Sequence, residues 1–161
     1  MFSFSINTGS KKTLYSDLLT TLKELLSEEG DPIANMANTA ALIWTYMPDL
    51  NWVGFYRAIR SYLILGPFQG KVACVKIPYG RGVCGTAAAT GRIQCVRDVH
   101  TYPNHISCDP SAASELVIPI RGRQNQILAV IDLESPTMGR FDAEDVEGCS
   151  RLMEVLGRFL G

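Results

Sequence analysis

Long apolar runs, blocks of like charge, histidines and paired cysteines are all scarce in this sequence. No window approaches the roughly 18 uninterrupted apolar residues of a membrane span, and the first twelve residues lack the continuous apolar stretch of a secretory signal. A soluble, cytoplasmic protein is therefore expected. No run of five Lys/Arg occurs, and fifteen basic against sixteen acidic residues leave a net charge of −1. The basic surface with which a general nucleic-acid binder displaces counterions is thus missing. There is no internal repeat, linker or low-complexity tract.

Hydrophobic residues make up 47% of the 161 residues and charged residues 19%. A chain of this size buries about 68–70% of its unfolded surface, so one domain spanning residues 1–161 can form a core without disulfide or metal staples.

Leu14, Leu18, Leu19, Leu22, Leu25 and Leu26 recur at helical spacing before Gly30. Asp31-Pro32 reads as the cap and first turn of a second helix. That helix directs Ile33, Met36, Ala37, Ala40, Ala41 and Trp44 inward and stops before Pro48. The period then shifts to strands at Trp52–Ile59, Tyr62–Phe68 and Val72–Ile77. A glycine-rich stretch, Gly80–Gly85, leads into a helical turn over Thr86–Thr90, followed by a short strand at Ile93–Val96. Residues 97–114 form a long polar loop, of the kind that is often functional. Two strands, Glu115–Ile120 and Ile127–Leu133, precede a last helix capped by Asp142, with Val146, Cys149, Met153, Leu156 and Leu160 as its stripe. Short turns between neighbouring strands predict an α+β fold, an antiparallel sheet with helices packed on one side.

Five cysteines, an uneven set without a C-x-x-C pair, read as core filler, metal ligands or catalytic thiols. Cys149, on a helical apolar stripe, and Cys95, in a short apolar strand, read as structural. Cys84 stands between glycines where a loop enters a helix, and free helix N–H groups there lower a thiol's pKa; a plain glycine turn explains the pattern equally well. Cys108 lies in the polar loop, where the His105 imidazole would favour its thiolate and Asp109 would oppose it. Cys74 is either a packing residue or an accessible partner. Separations of ten and twenty-four residues between Cys74, Cys84 and Cys108 fit no paired zinc pattern, so no metal and no cofactor is expected.

Asp132 and Glu134 share one strand face, and Glu115 starts the preceding strand. Converging in a concave site, they would raise one another's pKa and supply a proton donor or hold an ammonium group; a solvated acidic edge is the competing reading. Trp52 and Tyr56 also share a face, as simple core or as walls for an apolar or cationic group.

Together these segments resemble the free methionine-(R)-sulfoxide reductases. The resemblance is carried by Asn51-Trp52-Val53-Gly54-Phe55-Tyr56, Leu65-Gly66-Pro67-Phe68-Gln69-Gly70-Lys71-Val72-Ala73-Cys74, Gly80-Arg81-Gly82-Val83-Cys84-Gly85-Thr86-Ala87, Asp98-Val99-His100, His105-Ile106-Ser107-Cys108-Asp109 and Ser114-Glu115-Leu116-Val117-Ile118-Pro119. It runs from about residue 31 to the C-terminus. It implies a single GAF domain, with an antiparallel sheet flanked by helices, that reduces free methionine-(R)-sulfoxide with a thioredoxin-like dithiol as reductant. It leaves a homodimer open. By the same resemblance Cys108 is the nucleophile, with Cys84 or Cys74 resolving it and a Cys84–Cys108 linkage the first expectation. Trp52 and Tyr56 hold the S-methyl group, and Glu115, Asp132 and Glu134 surround the sulfoxide oxygen and the ammonium. Three residues depart from the family's common pattern: Asn104 stands for glycine, Ser107 for alanine and Glu134 for aspartate. A ligand-sensing GAF module and a scaffold with a vestigial site are the alternative functions; neither calls for three cysteines in these positions.

Overall fold

A computed structural model describes residues 9–26 and 30–161; the sequence reading of residues 1–8 lies outside them. Two helices come first, α1 (Lys11–Leu25) and α2 (Pro32–Tyr46), followed by strands β1 (Trp52–Ile59), β2 (Tyr62–Gly70) and β3 (Lys76–Pro78). Helix α3 (Gly82–Thr90), strand β4 (Gln94–Val96) and a 3₁₀ turn at Val99–Thr101 lead to β5 (Ser114–Arg121), β6 (Ile127–Ser135) and α4 (Ala143–Gly157). The strands form one antiparallel sheet in the order β3-β2-β1-β6-β5-β4.

Period-two alternation divides this sheet into two faces with different chemistry. Val53 and Phe55 of β1, Leu116, Ile118 and Ile120 of β5, and Ile131 and Leu133 of β6 point to one side and pack against α1, α2 and α4. The expected leucine stripe of α1 is there, with Leu18 and Leu22 fully buried, each contributing on the order of 2 kcal/mol of burial. Asp31 caps α2 through Ile33 N and Ala34 N, and Asp142 and Asp145 form a reciprocal capping box on α4. The stripe of α2 differs from expectation. Met36, Ala40 and Ile43 are buried, whereas Ile33 and Trp44 are exposed. Asn35, Thr39 and Tyr46 take inward positions instead, so the buried arc is rotated from the purely apolar one.

The opposite face carries Trp52 and Tyr56 of β1, Val117 of β5 and Val130 of β6, and here α3 packs through Val83, Cys84, Ala87 and Ala88. Helices therefore flank the sheet on both sides, correcting the one-sided arrangement drawn from turn lengths alone. Helix α3 also starts earlier than Thr86, and Gly85 is needed there because a Cβ would run into Pro78 O. The expected strand over Val72–Ile77 is mostly absent. Residues 71–75 are irregular, and pairing with β2 begins only at Lys76. No helix among the described residues is long and apolar enough to cross a membrane.

Candidate active site

The register places the site residues in rows across the sheet. Trp52 lies opposite Glu134, and Glu134 opposite Glu115; one row on, Gly54 lies opposite Asp132, and Asp132 opposite Val117. Gly54 is required at this point, since a Cβ there would approach the Trp52 ring to 2.6 Å. Its absence lets the indole lean over the sheet. Trp52 stacks on Tyr56 with centroids 5.9 Å apart and on Phe68 at 5.3 Å, and its Nε1 donates to Lys71 O at 3.0 Å. Phe68 is a wall residue that the sequence reading left in the background.

Cys84 projects from the first turn of α3 onto the acid row. Its thiol donates to Asp132 Oδ2 at 3.3 Å and lies 3.9 Å from Glu115 Oε1. Glu115, Asp132 and Glu134 are all buried, and none forms an ion pair with Lys or Arg among the described residues. Burial, then Glu134, raises Glu115 to about 8; burial, then Asp132 and Asp109, raises Glu134 to about 9. Asp132 is pushed well above the carboxylate range by burial and Glu115. The three carboxyls thus hold protons near neutral pH. Burial, followed by the Asp132 and Glu115 charges, also drives the Cys84 thiol well up. This reverses the lowering expected from the helix N-terminus: desolvation and carboxylates outweigh the backbone N–H groups.

Cys108 arrives on the loop between the 3₁₀ turn and β5, and it is disulfide-bonded to Cys74, with Cα atoms 5.6 Å apart. Cys84 is free, so the linkage in this structure is Cys74–Cys108 rather than the Cys84–Cys108 pairing expected first. Asn104 in this loop has φ 56°, a left-handed conformation that asparagine tolerates and glycine adopts freely. His105 Nε2 lies 3.4 Å from Glu115 Oε2, and desolvation lowers its pKa. The imidazole is therefore engaged with the acid row. Asp109, buried beside Cys108, accepts hydrogen bonds from Ser111 N and Oγ at 2.8 and 2.7 Å and from Asn51 Nδ2 at 3.3 Å. The Ser111 contacts hold its carboxyl below the usual range. Asp109 is thus the ionised anchor of the loop, a role visible in the sequence only as an Asp-x-Ser turn signal.

Trp52, Tyr56, Ala73, Cys108, Asp132 and Glu134 line one small cavity of about 10 Å³, room for about one water. Val72 and Asp109 also contribute to its wall. Glu115 and Cys84 stand behind Asp132, outside this lining. Cys84, Glu115 and Asp132 present ligand atoms within 4.8 Å of one another, the one grouping among the described residues whose donors suit a metal ion. Cys95 is exposed on edge strand β4, with its thiol 3.6 Å from Phe141 O, where core packing had been expected. Cys149 is fully buried as expected, its thiol pushed up to about 12 by burial.

A six-stranded antiparallel sheet with helices on both faces, one face closing over thiols and acids, defines a GAF domain, and residues 17–160 match the model of that family. The chain is 44% identical over 151 residues to the free methionine-R-sulfoxide reductase of Escherichia coli, covering 94% of this chain and 91% of that protein. It is 39% identical over 156 residues to the enzyme of the same name from Saccharomyces cerevisiae, covering 92% and 87%. The crystal structure of free methionine-R-sulfoxide reductase from Neisseria meningitidis in complex with its substrate superposes with a TM-score of 0.94 at 35% identity, covering 99% of this chain and 96% of that one. This chain belongs to the free methionine-R-sulfoxide reductases of the GAF-domain family.

Proposed function

We propose that this protein, as a single GAF domain over residues 1–161, reduces free L-methionine-(R)-sulfoxide to L-methionine through Cys108. The observation that carries the reading is the position of Cys108. It lines the same cavity as an aromatic wall and two buried acids, and it is already joined to a second thiol. The aromatic wall of Trp52 and Tyr56 suits a methyl group on sulfur. Asp132 and Glu134 face the cavity and would meet the sulfoxide oxygen and the ammonium, with Glu115 behind them fixing Asp132.

In the reduced enzyme the Cys108 thiolate attacks the sulfoxide sulfur while a carboxyl proton passes to the oxygen. The attack forms a bond from Cys108 Sγ to the substrate sulfur; the protonated oxygen then passes to Cys108 Sγ as the S–O and S–S bonds break, the electron pair staying on methionine, so methionine leaves and Cys108 is left as a sulfenic acid. The Cys74 thiol attacks this sulfur, water departs, and the Cys74–Cys108 disulfide forms. Cys74 rather than Cys84 is the resolving thiol in this scheme, because Cys84 is committed to Asp132 with a strongly raised pKa. A thioredoxin-like dithiol restores the enzyme. A cytoplasmic location, where such reductants operate, and a homodimeric assembly complete the proposal.

The test is incubation with racemic free methionine sulfoxide and dithiothreitol, following methionine and the residual epimer by chromatography. The expected result is loss of the R epimer alone. Absence of methionine, or normal turnover by Cys108→Ser, overturns the reading.

A further inference from the structure

Cys74 sits in the one segment whose hydrophobic pattern and structure diverge most. Val72 is 89% exposed and Val75 70%, so two β-branched apolar side chains bracket a half-buried cysteine in an irregular stretch. Isolated exposed apolar residues need no explanation, but these flank one of the two half-buried sulfurs of the disulfide that a reductant must open. Lys71 and Lys76 border the segment, and neither forms an ion pair among the described residues, although the Lys71 charge reaches Asp109; the Lys76 ammonium lies 3.7 Å over the Tyr62 ring. The other sulfur has more acidic surroundings. Cys108 faces a cavity walled by Asp109, Asp132 and Glu134.

We infer that the Lys71–Lys76 segment is the docking surface for a thioredoxin-type dithiol protein, and that the incoming thiolate attacks Cys74 rather than Cys108. The inference rests on the turnover proposed above. Lys76 attracts an approaching thiolate on the Cys74 side, whereas Asp109, buried beside Cys108, repels one. Val75, which is exposed and lies outside the cavity lining, supplies the apolar contact that a protein partner needs and a small dithiol does not. Attack forms a bond to Cys74 Sγ, and the Cys74–Cys108 bond breaks with its electron pair going to Cys108. The Cys108 thiolate is released next to the acids that protonate its substrate. The partner's second thiolate then attacks the partner's own sulfur in the mixed disulfide and frees Cys74, leaving the partner oxidised by two electrons.

Two measurements decide the matter. Oxidised protein is mixed with a thioredoxin whose resolving cysteine is serine, quenched in acid, alkylated and mapped by mass spectrometry. The adduct is expected on Cys74 with Cys108 alkylated; an adduct on Cys108 overturns the attack assignment. This measurement requires only the disulfide, so it stands even if methionine sulfoxide is not the substrate. In the second, Val75→Asp is expected to raise the KM for thioredoxin roughly tenfold and Val75→Ser about threefold. Dithiothreitol-driven turnover should stay within a factor of about two, because a small dithiol needs no docking surface. Ile33→Ser, an exposed apolar change on α2, should alter neither. An unchanged thioredoxin KM in both Val75 variants overturns the docking surface, as does a changed sedimentation coefficient without a change in that KM, which would make the segment a contact between copies of this chain. Loss of dithiothreitol-driven turnover in the unaltered protein would instead overturn the proposed function.

Discussion

The two faces of the sheet bury acids in opposite ways. On the helical face, Asp145 is 1% exposed and fully compensated: Tyr15 Oη donates to it at 2.7 Å, Lys11 Nζ at 2.7 Å, Arg140 Nη1 at 3.1 Å and Asp142 N at 2.9 Å. Lys11 reaches Asp142 as well, and that contact holds the Asp142 carboxyl down at about 2. On the other face Glu115, Asp132 and Glu134 are as deeply buried, yet their nearest polar neighbours are one another, a thiol and a neutral imidazole. A buried carboxylate with cations fixes a helix start against a core. Buried carboxyls without cations must keep their protons, and kept protons are available for chemistry. The difference between structural and functional acids is thus one of partners rather than depth.

The contrast is broken most severely by removing the acid that faces the cavity. Asp132→Asn is expected to lower kcat by about 10²–10³-fold, the usual scale of general acid catalysis, measured with dithiothreitol as reductant. In the unaltered enzyme kcat/KM should fall as pH rises through about 8 to 9, where Glu115 and Glu134 lose their protons. A flat profile over that range would remove the acids from the mechanism.

Next in size is the compensated acid. Asp145→Asn leaves Arg140 without a charge partner and Lys11 with Asp142 alone, and should destabilise the fold by about 3 kcal/mol, read from urea denaturation, while active-site chemistry is spared. The uncompensated face predicts the opposite sign. Glu134 has a folded-state pKa above its unfolded value, so the folded form binds more protons between about 4.5 and 9. Its contribution is fully present below about 4.5 and is lost as pH rises through that window. Glu134→Gln should therefore be more stable than the parent by at least about 1 kcal/mol at pH 8, with the gap closing toward pH 4.5. Equal pH dependence in the two proteins would refute the assignment. The smallest effect should come from Tyr15→Phe, which removes one hydrogen bond to Asp145 while its cations remain. A loss of about 1 kcal/mol is expected from thermal unfolding.

Much of this division was legible in the sequence. Strict alternation along β1, β5 and β6 put Trp52 with Tyr56 and Asp132 with Glu134, and the leucine spacing of α1 gave its buried stripe directly. What stayed hidden depended on contacts between distant residues. Val72 and Val75 have strand propensity, but residues 71–75 are irregular and Cys74 in their midst is bonded to Cys108, thirty-four residues away. No local pattern reports such a bond. The Cys84 pKa ran opposite to expectation because its environment is set by β5 and β6 rather than by its own helix. Trp44 and Ile33 look like core by hydropathy, yet the buried arc of α2 is fixed by how it meets the sheet. In the sequence Asp109 reads as a neighbour of Cys108 and the start of an Asp-x-Ser turn; its anchoring role also depends on Asn51, far away in the chain.

The Cys74–Cys108 bond also closes a covalent ring around β3, α3 and β4. Cross-linking a loop of this length restricts the unfolded chain by about 3–4 kcal/mol in the chain-entropy model. During turnover the protein therefore alternates between a closed and an open chain topology. After each substrate is consumed the ring shuts and the segment bearing Cys84 is confined. When a reductant is scarce, the population accumulates in the form hardest to unfold, so the redox history of the surroundings is written into the resistance of the chain to unfolding.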